Sequence, residues 1–322
     1  MRPSTKLRKL LNRRDKVLAV LGAPNAFHAK IMEANGVEAC FVGTSITGGN
    51  YTGLPDLGVL SMSECVAIGK WIARGVKIPV ILDGDTGHGG IMAVRRLVRE
   101  CIEAGLAGLR LDDQPLEQKR RTLSLGIAVV SREEAVARYR AAVDMKQELD
   151  PDFVIMSQCY ARNAVGGGLA ETLTRLRLYE KEGGVDWVQF EAPHSVEEIR
   201  KARKVVRGPF SAMKGLLQRA LSLEEHKALG LNAAWYTFIP DLVIKAAAWS
   251  FLQEFQRRGI AAWYEFLDQN PGTPFTGGKG WKWDAGLAEL VELEARYFPK
   301  RNGGRVYEKS SLISLRFHPV PF

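Results

Sequence analysis

Two aspartates two residues apart, Asp83 and Asp85, stand in the run Leu82-Asp83-Gly84-Asp85-Thr86-Gly87-His88-Gly89-Gly90. The preceding Ile78-Pro79-Val80-Ile81 reads as a short buried strand. Side chains alternate along a strand, so both carboxylates are expected to project together from its C-terminal end. Four glycines clear the space in front of them. Two acids on one face repel each other unless a cation or a proton lies between them. Hard oxygen ligands at a strand mouth suit Mg²⁺, which takes one or two carboxylates together with waters and substrate oxygens. Asp and Gly also dominate ordinary turns, so a turn without a metal is the competing reading.

Two more apolar runs end in acids. One is Ala107-Gly108-Leu109-Arg110-Leu111-Asp112-Asp113-Gln114-Pro115, the other Val185-Asp186-Trp187-Val188-Gln189-Phe190-Glu191-Ala192-Pro193. Three strands finishing in carboxylates imply one shared rim of negative charge. His88, inside the glycine-rich loop, either relays protons near neutral pH or only shapes the loop.

The elements that must position these residues alternate along the chain. Strand candidates fall near 17–22, 38–43, 78–83, 107–112, 153–158, 186–191, 209–213 and 234–238, with amphipathic stretches between them. Eight β-then-α units without a composition break predict a (β/α)₈ TIM-type barrel, whose reacting residues sit at the C-terminal strand ends. No Gly-x-Gly-x-x-Gly follows the first strand, which disfavours a dinucleotide fold. Leu7, Leu10 and Leu11 have the spacing of a short docking helix. Residues 1–260 are therefore read as the barrel with this N-terminal helix. Residues 261–322 are read as a helical extension that packs on a neighbouring subunit. An apolar helix over 242–256, a Gly/Pro/Thr-rich segment over 270–280 and a helix over 284–297 are expected, with Trp249, Trp263, Trp281 and Trp283 among them. So much aromatic surface beyond a barrel calls for a packing partner.

The 322 residues are 46% hydrophobic and 25% charged, ordinary for a globular chain. No apolar run approaches the roughly 20 residues needed to span a bilayer, and the basic first 16 residues lack the apolar centre of a secretory signal. Cys40, Cys65, Cys101 and Cys159 are scattered without a Cys-x-x-Cys pair, which fits a reducing cytoplasm. A net charge of +9 is spread over many helices and no nucleic-acid motif appears, so it reads as solubility and attraction for anionic substrates.

Gly53-Leu54-Pro55-Asp56-Leu57-Gly58, Asp83-Gly84-Asp85-Thr86-Gly87 and Asp112-Asp113-Gln114 resemble signatures of the isocitrate lyase and phosphoenolpyruvate mutase superfamily. Glu191-Ala192-Pro193 and Ala23-Pro24-Asn25-Ala26 fit it as well. The resemblance covers residues 5–260 with the same spacing between motifs. It implies a barrel that binds Mg²⁺, or Mn²⁺ in its place, and a small anionic 2-oxo or 2-hydroxy carboxylate. By position, Asp83, Asp85 and Asp112 would hold or orient the metal through its waters, with Asp56 and Glu191 nearby. Main-chain donors around Thr44, Ser45 and Ile46 would grip the substrate, and Asp56, His88, Gln158 and Tyr160 are the candidate catalytic groups. Relatives in the superfamily exchange a C-terminal helix as dimers of dimers, so a homotetramer is expected.

The departures from that pattern are informative. The lid loop after strand four carries Lys-Lys-Cys-Gly-His or Lys-Arg-Cys-Gly-His in the family's lyases, but here reads Gln118-Lys119-Arg120-Arg121-Thr122, without the thiol. The strand-five arginine is Gln158, the strand-four glutamate is Asp112, and the strand-seven asparagine is Ala212. Glutamine supplies no charge and no bidentate fork, and Arg110 or Arg162, each by strand parity, can replace the lost clamp. The primary reading is a Mg²⁺-dependent lyase that cleaves a C–C bond beside the carboxylate through an enolate. P–C bond mutase or hydrolase chemistry, or decarboxylation or hydrolysis of an oxo acid, is the alternative on the same site. A barrel that only binds is a third.

Overall fold

A computed structural model of the chain describes residues 1–213, 217, 219–271, 292, 293, 296 and 297. Trp281, Trp283 and most of the helix expected over 284–297 lie outside the described residues. Eight strands are present: β1 Leu18–Gly22, β2 Ala39–Val42, β3 Val80–Asp83, β4 Gly108–Asp112, β5 Val154–Cys159, β6 Trp187–Phe190, β7 Phe210–Ala212 and β8 Ala233–Tyr236. They pair in parallel in sequence order and close on themselves through β1 and β8. The barrel expected from the alternating pattern is the fold.

Helix α1 Pro3–Asn12 precedes β1, and helices follow the strands on the outside: α2 Ala26–Ala34, α3 Gly49–Thr52, α4 Met62–Gly75, α5 Ile91–Glu103, α6 Arg132–Leu149, α7 Leu169–Lys181, α8 Val196–Val205 and α9 Leu223–Ala228. Serine caps start four of them. Ser61, Ser131, Ser195 and Ser222 each accept a hydrogen bond from the amide three residues on, which satisfies a donor the helix itself cannot. Strands covered on both faces read as unbroken apolar runs, and β2 to β7 are buried throughout.

Two cores result. The outer one fills the space between barrel and helices. The inner one joins Phe41, Ile81, Met156, Trp187 and Trp235 to Leu7 and Leu11 of α1. Helix α1 thus plugs the N-terminal end of the barrel, which explains its leucine spacing. Its flanks are tied down by charge: Ser4 donates to Asp150 at 2.7 Å, Arg8 to Asp186 at 2.6 Å, and Arg13 grips Glu38 with two bonds of 2.6 and 2.7 Å.

Helices α10 Ile239–Arg258 and α11 Ile260–Gln269 follow β8. The chain forms two compact units, Met1–Val243 and Ile244–Phe322. Within the second, Phe251, Trp263 and Phe266 pack as a ring cluster, with Phe251 and Phe266 centroids 5.4 Å apart. Trp249 remains 69% exposed there. Among the described residues no helix is long and apolar enough to cross a membrane, and the four cysteines are buried and free.

The Arg13–Glu38 pair fixes the seam between α1 and β2 and has a defined pH signature. The Arg13 hydrogen bonds, with Lys16 beside them, lower Glu38 to about 2. Its stabilisation is present above the unfolded value near 4.3 and is lost as pH falls through about 2. Glu38→Gln should lower the melting temperature by roughly 1–3 °C at neutral pH, since a partly exposed pair contributes under 1 kcal/mol. The difference should shrink below pH ~4. Identical melting curves at neutral pH would show that the pair contributes nothing.

Candidate active site

Asp83 is the last residue of β3, but Asp85 lies beyond the strand, in a turn with φ of +54°. The alternation of strand faces therefore does not bring the two carboxylates together. A turn does so: the Asp85 amide donates to Asp83 Oδ1 at 3.2 Å, while the Asp112 amide donates to the Asp85 carbonyl at 2.9 Å. Gly84 between them passes directly over β4. A Cβ there would meet Leu109 Cδ1 at 2.6 Å and Leu111 Cδ2 at 2.9 Å. The glycine is what lets the acidic turn dock on the neighbouring strand.

Parallel register sets Arg110 of β4 beside Asp83 of β3. Arg110 Nη2 donates to Asp83 Oδ2 at 2.7 Å, and the guanidinium lies 4.4 Å above the Phe41 ring and 5.6 Å from that of Trp235. Its Nε and Nη1 are buried without a partner among the described residues. Burial works against its charge, but Asp83, Tyr160, Glu191 and Asp112 outweigh it and hold the group protonated. Buried N–H donors left open are costly unless a ligand meets them. Arg162, the other candidate clamp, instead binds Glu198 and His194 at 2.8 and 2.7 Å. The structure brings Arg110 to the mouth and commits Arg162 elsewhere.

Lys119 is a site residue that sequence reasoning passed over. It closes the short helical turn after β4, and its Nζ lies 2.7 Å from Asp85 Oδ1 and 2.9 Å from Asp56 Oδ1, almost wholly buried. Burial opposes its charge, but Asp85, Asp83, Asp56 and Asp112 raise it above its ordinary value. The signal was the basic pair Lys119-Arg120 itself, which keeps the start of the lid motif although the thiol is gone. Thr44, in the wide helical turn Thr44–Gly48 after β2, donates to Asp56 Oδ1 at 2.8 Å. Ser45 faces the mouth, whereas Ile46 is buried in the core.

Asp112 ends β4 opposite Gln158 of β5. Gln158 donates to Glu191 Oε2 at 2.7 Å and to the Tyr160 hydroxyl at 3.2 Å. Glu191 also accepts from Gln189 at 3.0 Å and from Thr122 of the lid loop at 2.7 Å. Burial, with Glu191 and Asp112 adding to it, keeps the Tyr160 phenol protonated well above its usual range. His88 stands apart, in a surface depression with Gly58, Ser63, Met92 and Arg96, and burial lowers its pKa. An apolar cavity of about 430 Å³ adjoins the mouth over β7 and β8.

Charge decides whether a divalent cation fits. Asp56, Asp83, Asp85, Asp112 and Glu191 face Arg110 and Lys119, an excess of carboxylates. Burial raises Asp85 and drives Asp112 well above the carboxylate range, with Asp83 adding to both despite Lys119. Arg110 and Lys119 outweigh burial at Asp83 and lower it. Among the described residues no three acids, histidines or cysteines converge closely enough to enclose an ion alone. Hard oxygens with surplus negative charge fit Mg²⁺ that keeps several waters, held by few direct ligands.

A family model described as phosphoenolpyruvate phosphomutase matches residues 7–245. The chain is 35% identical to 2,3-dimethylmalate lyase of Eubacterium barkeri over 73% of its length and 80% of that protein. It is 38% identical to isocitrate lyase of Haloferax volcanii over 60% of its length, but spans only 54% of that enzyme. The solved structure of oxaloacetate acetylhydrolase with 3,3-difluorooxalacetate superposes with a TM-score of 0.75 at 29% identity, covering 80% of this chain and 87% of that one.

The open donors of Arg110 make a direct prediction. Arg110→Lys keeps the charge beside Asp83 but removes the planar fork. Oxalate should bind the variant roughly ten- to a hundredfold more weakly, the effect of one or two lost charge-assisted bonds. Calorimetry reads the affinity and circular dichroism the fold. Unchanged oxalate affinity in a folded variant would remove Arg110 from the binding site.

Proposed function

The chain belongs to the phosphoenolpyruvate phosphomutase family, in the isocitrate lyase/PEP mutase superfamily of lyases, and on that premise we propose that it cleaves a C–C bond beside the carboxylate of a 2-hydroxy or 2-oxo acid with Mg²⁺. One observation carries this reading: the buried Arg110, whose Nε and Nη1 have no partner among the described residues, stands beside an excess of carboxylates. It is a site for an anion next to a site for a cation. Asp83, Asp85 and Asp112 would hold the metal, directly or through water. Bound there, Mg²⁺ supplies Lewis-acid stabilisation of the oxygen that gains charge as the bond breaks.

The remaining work falls to side chains. Arg110 clamps the carboxylate and keeps the scissile bond over the acidic turn. Asp56, the most open of the acids, accepts the hydroxyl proton, and Lys119 fixes its position through the 2.9 Å contact. Tyr160 holds a proton available for the new carbanion, with Gln158 orienting its hydroxyl. Thr122 latches the lid loop to Glu191 and excludes water. Hydrolysis of the same bond is the second reading, favoured by the likeness to oxaloacetate acetylhydrolase. Residues 1–260 would form the catalytic domain, and 261–322 an interface within a homotetramer.

Two outcomes are expected. Purified protein offered a panel of 2-oxo and 2-hydroxy acids should release pyruvate or glyoxylate from at least one, but not from isocitrate or 2-methylisocitrate at enzymatic rates, for want of the lid thiol. Turnover should stop in EDTA, return with Mg²⁺ or Mn²⁺, and fall by orders of magnitude in Asp85→Ala; activity surviving exhaustive chelation would sink the metal reading. Trp249 and the exposed apolar side chains of α10 should be covered by a partner subunit. Light scattering should give a mass several times 35.7 kDa, and a value near 35.7 kDa refutes the oligomer.

A further inference from the structure

The cavity of about 430 Å³ over β7 and β8 is large for a site that serves only a small oxo acid, and falls within the range of pockets that enclose whole organic ligands. Ser45, Asp56 and Thr122 line one edge, so it opens on the candidate active site. Its far walls are apolar: Ala212, Met213, Leu217, Leu231, Trp235 and Phe238. Of the polar groups there, the His226 ring is already engaged, its Nδ1 2.8 Å from the Ser222 carbonyl. Arg121, from the loop after β4, also lines the cavity.

Two sequence departures bear on this wall. β7 ends in Ala212 and β5 carries Gln158, where a bonding asparagine and a clamping arginine would hold a second carboxylate. Arg110, paired with Asp83, is assigned the substrate carboxylate in the reading above, and the wall residues Ala212, Met213, Leu231 and Trp235 carry no charge. Apolar cavities bind apolar groups in preference to water.

Resting on the oxo-acid reading above, we propose that the substrate bears an alkyl chain of several carbons on the side away from its carboxylate, and that the β7–β8 cavity houses it. The protein then selects an alkyl-substituted acid over a dicarboxylate of the same core. Selectivity comes from area removed from water, with each buried methylene improving affinity about fourfold.

Oxamate, N-butyloxamate and N-hexyloxamate test this as enolate-like probes, titrated calorimetrically into the full chain with Mg²⁺. Affinity should rise about fourfold per methylene until the cavity is full. Leu221→Trp at the half-buried rim, or Ala212→Phe on the floor, should abolish the gain while oxamate itself binds as before. Wild-type affinity indifferent to chain length, the cavity being filled by the chain itself or a partner, overturns the inference and leaves the oxo-acid reading intact. A gain untouched by both substitutions overturns the assignment to this cavity. Failure of all three oxamates to bind overturns the oxo-acid reading, and this one with it.

Discussion

The structure of the barrel mouth depends on how it accommodates buried like charge. Asp56, Asp83, Asp85, Asp112 and Glu191 lie around the mouth, and among the described residues Arg110 and Lys119 are the cations that pair with any of them. Burying an unpaired charge is among the most unfavourable things a fold can do. The protein manages part of this through register, which sets Arg110 beside Asp83, and part through the lid, which drops Lys119 between Asp56 and Asp85. The Gln114 amide donates to Asp112 at 3.0 Å, and burial holds this carboxyl well above the carboxylate range.

A hydrogen-bond chain ties this mouth to the core. The Trp187 and Trp235 indoles both donate to Ser211 Oγ at 3.0 Å, and Gln189 links the same region to Glu191. Glu191 then reaches the lid through Thr122. Trp235 also lies under Arg110, where the face of the ring favours a cation. The loop that carries Thr122 is thereby linked through Glu191 and Gln189 to side chains packed inside the barrel. Asp113, one residue on from Asp112, faces the other way. It accepts from the Tyr160 amide at 2.9 Å and from Tyr179 at 2.6 Å, and so fixes the strand end that carries Tyr160. Asp113 lies just beyond β4, and its bonds to Tyr160 and Tyr179 set its direction.

The arginine has changed strands. Where the superfamily's pattern expects it on β5, Gln158 stands, and the guanidinium comes from β4 two residues before Asp112. From there it lies over the Phe41 ring and pairs with Asp83. The guanidinium lies beside β3 and β4, while β7 and β8 present the apolar walls of the cavity.

Much of this was legible in the chain itself. The eight strands appeared within a residue or two because buried parallel strands are short unbroken apolar runs between amphipathic helices, and both periodicities are local properties. The acids at the strand ends, the missing thiol and the glycines of the turn were legible for the same reason. The sequence left undecided whether Arg110 or Arg162 supplied the clamp, since strand parity allows both and only the packing of Glu198 against Arg162 separates them. It also misassigned the cause of the Asp83–Asp85 pairing, because where a strand ends depends on its neighbours' hydrogen bonds. Lys119 was invisible as a site residue, since a charge in a loop reads as solvated until the loop folds back. Local pattern determined the barrel and its acidic rim, whereas tertiary structure decided which cations face that rim, because burial and pairing depend on residues far apart in the chain.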